Sequence, residues 1–371
     1  MTAPGPTLDV SIVVPTFREA ENLQRLIPLI DAAMAPTGQT WELIIVDDDS
    51  RDGTPDVVAR YVAAGLPVRL ITRVGERGLS SAVLRGFSEA RGRRLVCMDA
   101  DLSHPPAALP RLLAALNEPD VEFVIGSRYV PGAHLDPHWG LFRRLNSWVA
   151  TLLARPFASV RDPLSGYFAL PRTVYARAAP LNPVGYKIAL ELIVKCNCRA
   201  VREVPIEFLD RQRGPSKLSL GEQLRYLQHL VRLADYQYGT KARLVRFGGV
   251  GVAGVLVDLA LYAAQLGLGA PLASARAVAI AAAMLWNASL HRYCAPEGPQ
   301  TRSRLRYYTW YLAACLPGAL VSWSTAMAAR HWSPLADHVY LAALLGIGAG
   351  TIPNGVLLLR WLFGRRSGSR P

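Results

Sequence analysis

Apolar residues fall along this chain in two regimes. Up to about Asp210 they come in short runs between charged segments, whereas from Phe247 onward the runs are longer than a soluble core needs. In the first regime Val10 to Val14, Glu42 to Val46, Val68 to Thr72 and Leu95 to Met98 are short, largely apolar stretches that read as buried strands. Leu23, Leu26, Ile27 and Ile30 recur at helical spacing after the first of them. A second helix, capped by Thr54 or Asp52, follows the second strand, and the small-residue loop Gly75 to Ala82 opens another after the third. Strand alternates with helix, and carboxylates stand at the strands' carboxyl ends. This pattern predicts a doubly wound, mostly parallel α/β sheet with its ligand crevice along that edge.

The second regime reads as four membrane spans, at about 246–267, 272–291, 307–329 and 339–363, each near the ~20 residues that cross a bilayer. Just before them, Leu224, Leu227, Leu230, Val231 and Ala234 recur at helical spacing beside Arg225 and Arg232. That predicts amphipathic linker helices over 221–245, lying at the membrane interface in preference to packing on the enzyme domain, between a catalytic domain over 1–220 and a membrane domain over 246–363, with a basic tail over 364–371. The second and fourth spans end alike, Trp286-Asn287-x-x-Leu290-x-Arg292 against Pro353-Asn354-x-x-Leu357-x-x-Arg360, the mark of a duplicated helical hairpin. Asp258, Asn287 and Asn354 fall at membrane depth and are read as interhelical hydrogen-bonding groups.

Charge sharpens this picture. The chain carries a formal +13, and much of its arginine flanks the apolar runs: Arg243 and Arg246 before the first, Arg292, Arg302, Arg304 and Arg306 between the second and third, Arg360, Arg365 and Arg366 at the end. The loop from Gly267 to Pro271 carries no charge. The alternation predicts that both termini and the N-terminal domain of this multi-pass membrane protein lie in the cytosol. A bacterial or archaeal cell membrane is the expected location. No aromatic-interleaved basic motif or zinc-finger spacing accompanies the charge, which argues against nucleic acid as a partner. The five cysteines have no CxxC spacing and are read as reduced thiols, and the first nine residues are not a signal peptide.

The candidate chemistry centres on Asp99-Ala100-Asp101-Leu102-Ser103-His104-Pro105. Two carboxylates one residue apart at a strand end project to the same side, an arrangement suited to Mg2+ or Mn2+ with donor phosphates as further ligands. A solvated turn is the alternative for that motif alone. Within residues 1–220 neither G-x-G-x-x-G nor GxxxxGK[ST] occurs, which argues against a nicotinamide dehydrogenase and a P-loop NTPase.

Four motifs, Pro15-Thr16-Phe17-Arg18-Glu19-x-Glu21-Asn22, Val46-Asp47-Asp48-x-Ser50-x-Asp52-Gly53-Thr54, the Asp99 to Pro105 stretch and Gly126-Ser127-Arg128-Tyr129, resemble the GT-A family 2 glycosyltransferases, and within them the dolichyl-phosphate (polyprenyl-phosphate) mannose synthases. Trp139-x-x-x-Arg143-x-x-x-Ser147, Asp162-x-x-Ser165-Gly166-Tyr167, Gly185-Tyr186-Lys187-x-x-x-Glu191 and Arg211-x-x-Gly214-x-Ser216-Lys217-Leu218 continue the match in the same order over roughly residues 9 to 220. The resemblance implies a GT-A, Rossmann-like catalytic domain. It implies that Pro15, Phe17, Glu19 and Asp48 line the nucleoside pocket, with Asp48 accepting from the base. Asp99 and Asp101 would hold donor sugar and metal, Arg211 and Lys217 would contact the donor pyrophosphate, and Arg128, Arg143 and Ser147 would cradle an acceptor phosphate. Ser103 is carried as third metal ligand, at a position where many relatives have Gln, and Arg18 stands where the family often has Asn. Glu191 is read either as an acceptor-side contact or as the residue that orients Lys187.

Residues 246–363 resemble the GtrA-like four-helix membrane family. The chain is thus expected to be an inverting, metal-dependent transferase of mannose from GDP-mannose to a polyprenyl or dolichyl phosphate. A lipid monophosphate, with a second pKa near ~6, is already largely an anion at neutral pH, so no general base is required and His104 and His134 are read as structural. UDP-glucose:polyprenyl-phosphate glucosyl transfer is the alternative reaction, and a lipid-sugar flippase or membrane scaffold with a silent transferase half is the alternative of another class.

Overall fold

The computed structural model describes residues 7–135, 140–182, 187–208, 220–294, 303–332 and 337–363. It divides into two compact units, Met1–Gln237 and Tyr238–Pro371. The first unit opens with strands β1 (Leu8–Thr16), β2 (Trp41–Asp47), β3 (Val68–Thr72) and β4 (Gly92–Cys97), alternating with helices α1 (Ala20–Met34), α2 (Thr54–Ala63) and α3 (Leu79–Glu89). It continues through α4 (Leu109–Ala115), β5 (Phe123–Ser127), β6 (His134–Leu135), α5 (Leu141–Ala154), β7 (Phe168–Pro171) and α6 (Arg172–Ala176). Helix α7 (Ile188–Lys195), β8 (Val201–Pro205), β9 (Glu207–Phe208) and α8 (Leu220–Tyr238) complete it.

Seven strands form one sheet in the order β3-β2-β1-β4-β7-β5-β8. Every neighbouring pair is parallel except those of β7, which runs antiparallel to both β4 and β5. Successive side chains of each strand serve opposite faces. Ile12, Val14, Leu43 and Ile45 pack with Leu23, Leu26, Ile27 and Ile30 of α1 and with Leu109 and Leu112 of α4. Val13, Ile44, Val46 and Leu95 pack with Val83 and Phe87 of α3 and with Ile188 and Leu192 of α7. Both faces of the central strands are thus covered by helices, which is why those strands read as unbroken apolar runs. Their carboxyl ends are left as the open edge.

Helix α8 packs on the first unit. Tyr226, Leu230 and Leu233 are buried in the core of the first unit, and the Tyr226 hydroxyl donates to the Ala150 carbonyl at 2.7 Å. The face nominated by apolar spacing is only half used: Leu230 is buried, while Leu224 and Leu227 stay exposed. An aromatic residue one position off the leucine stripe decides which side docks.

The second unit consists of α9 (Thr240–Gly267), α10 (Leu272–Cys294), α11 (Arg304–Trp332) and α12 (Val339–Phe363). Among the described residues, α9, α10 and α11 are long and apolar enough to cross a membrane, and Val339–Gly355 of α12 is a shorter apolar stretch.

Candidate active site

The open edge is built from the turns after β1, β2, β3, β4 and β5. Asp47 is buried and spent on structure, accepting from Thr16 Oγ1 at 2.9 Å, Ser50 Oγ at 2.5 Å and the Ser50 amide at 2.9 Å. Asp52 serves two helices at once. One of its oxygens accepts from the Ala20 amide at 3.0 Å, at the start of α1, and the other from the Thr54 amide at 3.1 Å, at the start of α2, so Asp52 ties the two helix starts together, while the N-cap of α2 is Gly53 in left-handed backbone and neither Thr54 nor Asp52. Arg18 (φ 61°), Asp49 (φ 51°), Arg51 (φ 53°) and Leu102 (φ 63°) all adopt left-handed backbone. That conformation is unfavourable for residues with a Cβ, and four of the six non-glycine residues that adopt it among the described residues lie in turns along this edge, which makes it the candidate site.

Asp48 is held by a residue that sequence patterning missed. Arg73, buried just past β3, donates from Nε to Asp48 Oδ1 at 2.7 Å and again from Nη2. Its Nη1 reaches Ser81 Oγ at 2.9 Å and Glu76 at 3.3 Å, and its Nη2 reaches the Gly78 carbonyl at 3.0 Å. The Gly78 amide closes the ring onto Asp48 Oδ2 at 2.9 Å. Next to this cluster the guanidinium groups of Arg77 and Arg18 lie 4.3 and 5.1 Å from the centre of the Phe17 ring. Pro15 is buried on β1, and Glu19 is half-buried and accepts from Asn22 Nδ2 at 2.6 Å. The parallel register that sets Asp47 beside Thr72 brings Asp48 and Arg73 together, and that adjacency was the only available signal for Arg73.

The carboxylate loop differs in one respect from expectation. β4 ends at Cys97, so Asp99 and Asp101 lie in the turn beyond it and are aimed by the turn, not by the pleat of a strand. Asp101 is buried and its Oδ1 accepts from the Ser103 amide at 3.1 Å and the Ser103 hydroxyl at 2.5 Å. Ser103 thus serves Asp101. The Asp99 amide donates to His104 Nδ1 at 2.9 Å, and the His104 ring stacks on Tyr167, centroids 5.1 Å apart. Burial pulls the His104 imidazole below its ordinary pKa against the opposing pull of Asp99 and Asp101, so the ring is neutral and its Nδ1 is an acceptor. Gly166 backs the same carboxylate: a methyl group there would stand 3.3 Å from both Asp99 oxygens and 3.2 Å from His104 Cε1.

Arg128 also has a partner that the sequence did not nominate. Its Nε and Nη2 grip the fully buried Asp162 at 2.8 Å each, and its amide adds a third bond at 3.0 Å. Burial alone would raise the Asp162 carboxyl, but Arg128 overcomes that and holds it below the usual carboxylate range. The amides of Arg161 and Asp162 are tied in turn to Glu203 of β8 at 2.8 and 3.0 Å. Ser147 on α5 shares a 2.7 Å hydroxyl–hydroxyl bond with Tyr129, which brings α5 to the turn after β5. Glu191, buried on α7, accepts from the Asn182 amide and the Lys195 ammonium at 2.7 Å each, so Lys195 is a cationic partner of this carboxylate. The side chain of Arg143, and all of Trp139, Arg211 and Lys217, lie outside the described residues.

The edge therefore gathers a pinned carboxylate beside an aromatic–guanidinium stack, two carboxylates on a buttressed turn, and an arginine fork with a hydroxyl pair. Such a series suits a nucleoside, a charged diphosphate and a second anionic group laid along one crevice.

Comparison with known proteins places this geometry. The model of "Glycosyl transferase family 2" matches residues 11–176, and that of "GtrA/DPMS, transmembrane domain" matches residues 246–363. The chain is 46% identical over 241 residues to a dolichol-phosphate mannosyltransferase of Mycosarcoma maydis, covering 63% of this chain and 82% of that protein. To the protein of the same name from Pyrococcus furiosus it is 40% identical over 268 residues, 71% of this chain and 74% of the relative. The Saccharomyces cerevisiae protein of that name is 42% identical over 241 residues, 63% of this chain and 90% of the relative.

Proposed function

This chain belongs to the dolichol-phosphate mannosyltransferase family of the family 2 glycosyltransferases, and on that premise we propose that it transfers mannose from GDP-mannose to a polyprenyl phosphate with inversion at the anomeric carbon. The observation that carries the reading is the loop from Asp99 to His104, where two carboxylates are fixed by Ser103, His104 and Gly166 at the sheet's carboxyl edge.

Among the described residues no group of three or more Asp, Glu, His or Cys is placed to hold a metal ion. Two carboxylates still fit Mg2+ or Mn2+, which take remaining ligands from water and substrate phosphates. Asp101 and Asp99 would hold the ion, with Ser103 orienting Asp101. Bound there, a divalent ion neutralises charge on the departing diphosphate. Asp48, kept in one orientation by Arg73 and Gly78, accepts N–H donors of the base, with Pro15, Phe17 and Glu19 around the nucleoside. Arg211 and Lys217 are assigned to the diphosphate. Arg128, Arg143 and Ser147 steer the acceptor phosphate, already an anion, onto the anomeric carbon. The buried, neutral His104, with Nδ1 engaged by the backbone, fits a reaction that needs no base from it.

For location we assign four spans with the catalytic unit and both termini in the cytosol. Leu145, Trp148, Val149, Leu152 and Leu153 are exposed along α5, spaced to form one apolar stripe, which suits a bilayer surface.

The test is sugar transfer by the purified full chain in vesicles containing polyprenyl phosphate, with Mn2+ and with radiolabelled GDP-mannose or UDP-glucose. Incorporation from GDP-mannose is expected. Incorporation from UDP-glucose alone would overturn the donor, and incorporation from neither would overturn the transferase reading. A companion variant probes the base pocket. Arg73→Met is expected to raise the KM for the donor by about 10- to 100-fold, the effect of freeing a buried carboxylate from charge-assisted bonds, with kcat changed far less. An unchanged donor KM would remove Asp48 from nucleoside binding.

A further inference from the structure

The membrane unit repeats itself in sequence and in contacts. Gly254-Val255-Leu256-Val257-Asp258 of α9 is matched in α11 by Gly318-Ala319-Leu320-Val321-Ser322. Ala279, Ala283 and Asn287 of α10 are matched at the same spacing in α12 by Gly346, Gly350 and Asn354. The packing follows suit. A Cβ built on Gly254 would lie 2.4 Å from the amide nitrogen and oxygen of Asn287, and one built on Gly318 would lie 2.2 Å from Asn354 Oδ1. In each hairpin, then, an asparagine of the second helix rests on bare backbone of the first.

One residue breaks the repeat. Arg276, on α10, is fully buried, and its counterpart on α12 is Ala343. Its Nη1 donates to Asp258 Oδ1 at 2.5 Å, its Nη2 donates to Ser322 Oγ at 3.2 Å, and its guanidinium lies 5.6 Å from the Tyr262 ring centre. Asp258 and Ser322 are the equivalent positions of the two hairpins. A single arginine therefore reaches the same site in both halves.

From this juxtaposition we infer that the membrane unit is an internal duplication whose two hairpins are joined by Arg276, a clasp shared between equivalent acceptor positions 258 and 322. A guanidinium in an apolar bundle persists only when paired. Of the bonds that Arg276 makes, the ion pair lies within the first hairpin and the neutral bond to Ser322 crosses to the second, beside the bond from Trp323 Nε1 to the Ala273 carbonyl at 3.0 Å. The two hairpins can part at this point without leaving an unpaired charge.

The test moves the carboxylate across the repeat. The full chain in lipid nanodiscs would be melted as wild type, Asp258→Ser, Ser322→Asp and the double variant. Asp258→Ser strands Arg276 and is expected to lower the melting temperature by about 10 °C, as loss of one partner of a buried pair does in a unit of this size. The double variant is expected to return to within about 3 °C of wild type, because the equivalent position now carries the carboxylate, whereas Ser322→Asp alone gives no gain. If Asp258→Ser does not accumulate as folded protein, recovery of folded protein in the double variant supports the clasp equally. Failure of the double variant to recover, no loss in Asp258→Ser, or an equal gain from Ser322→Asp in both backgrounds would overturn it.

Discussion

Replacing Asp101 with asparagine or alanine is expected to lower sugar transfer by at least about a thousandfold while leaving the catalytic unit folded. Asp101 sits in a turn beyond β4, outside the two hydrophobic cores, so its removal exposes no apolar surface. Asparagine keeps the shape and an oxygen that accepts from the Ser103 amide and hydroxyl, so the turn retains its internal bonds. What asparagine removes is negative charge. A loss of activity in both variants, with melting temperatures near wild type, would mean that the negative charge is needed to hold the divalent ion. Ser103→Ala, which takes away one bond to the carboxylate, should lose far less. Asparagine at 101 with near-normal turnover would sink the metal-dependent mechanism.

The largest effect on stability is expected from Asp162→Ala. Arg128 would then be buried without its carboxylate, a change that costs about 3–5 kcal/mol, together with the bond to its own amide. The same pair makes the catalytic unit acid-sensitive. The Asp162 carboxyl has a lower pKa folded than unfolded, so its contribution is fully present above the unfolded value of about 4 and is lost as pH falls through the folded value. Denaturant midpoints measured between pH 7 and pH 3 should fall for the wild type. Asp162→Asn should be weaker at pH 7 and should lose part of that pH dependence. Parallel curves for the two proteins would mean that Arg128 and Asp162 do not stabilise the fold as a pair.

The expectations that held came from patterns local in sequence. The four strands lie where unbroken apolar runs stand, and the helices after them begin at capping and small residues, because each signal is carried within a few positions of where it acts. Pairings across the sheet were not legible. Arg73 meets Asp48, and Arg128 meets Asp162, only because strand register brings distant turns together. Aim was equally hidden: the turn, not the strand, orients Asp99 and Asp101, and the Ser103 hydroxyl donates to Asp101. For α8, leucine spacing identified a helix but not the side that docks, which Tyr226, Leu230 and Leu233 fix.

The antiparallel strand β7 has a consequence for how the protein is made. During synthesis the N-terminal strands emerge first, and β1 to β4 can assemble with α1 to α3 as soon as residue 97 has left the ribosome. Strand β5 cannot join them directly, because β7 lies between β4 and β5. Until residues 168–171 are available, the far edge of β4 stays unpaired and open to wrong partners. Gly166 and Tyr167, which brace Asp99 and His104, arrive in the same stretch. A nascent chain halted before that point would carry its acidic turn without the wall behind it, so the turn is braced in the same step that links β5 to the first four strands.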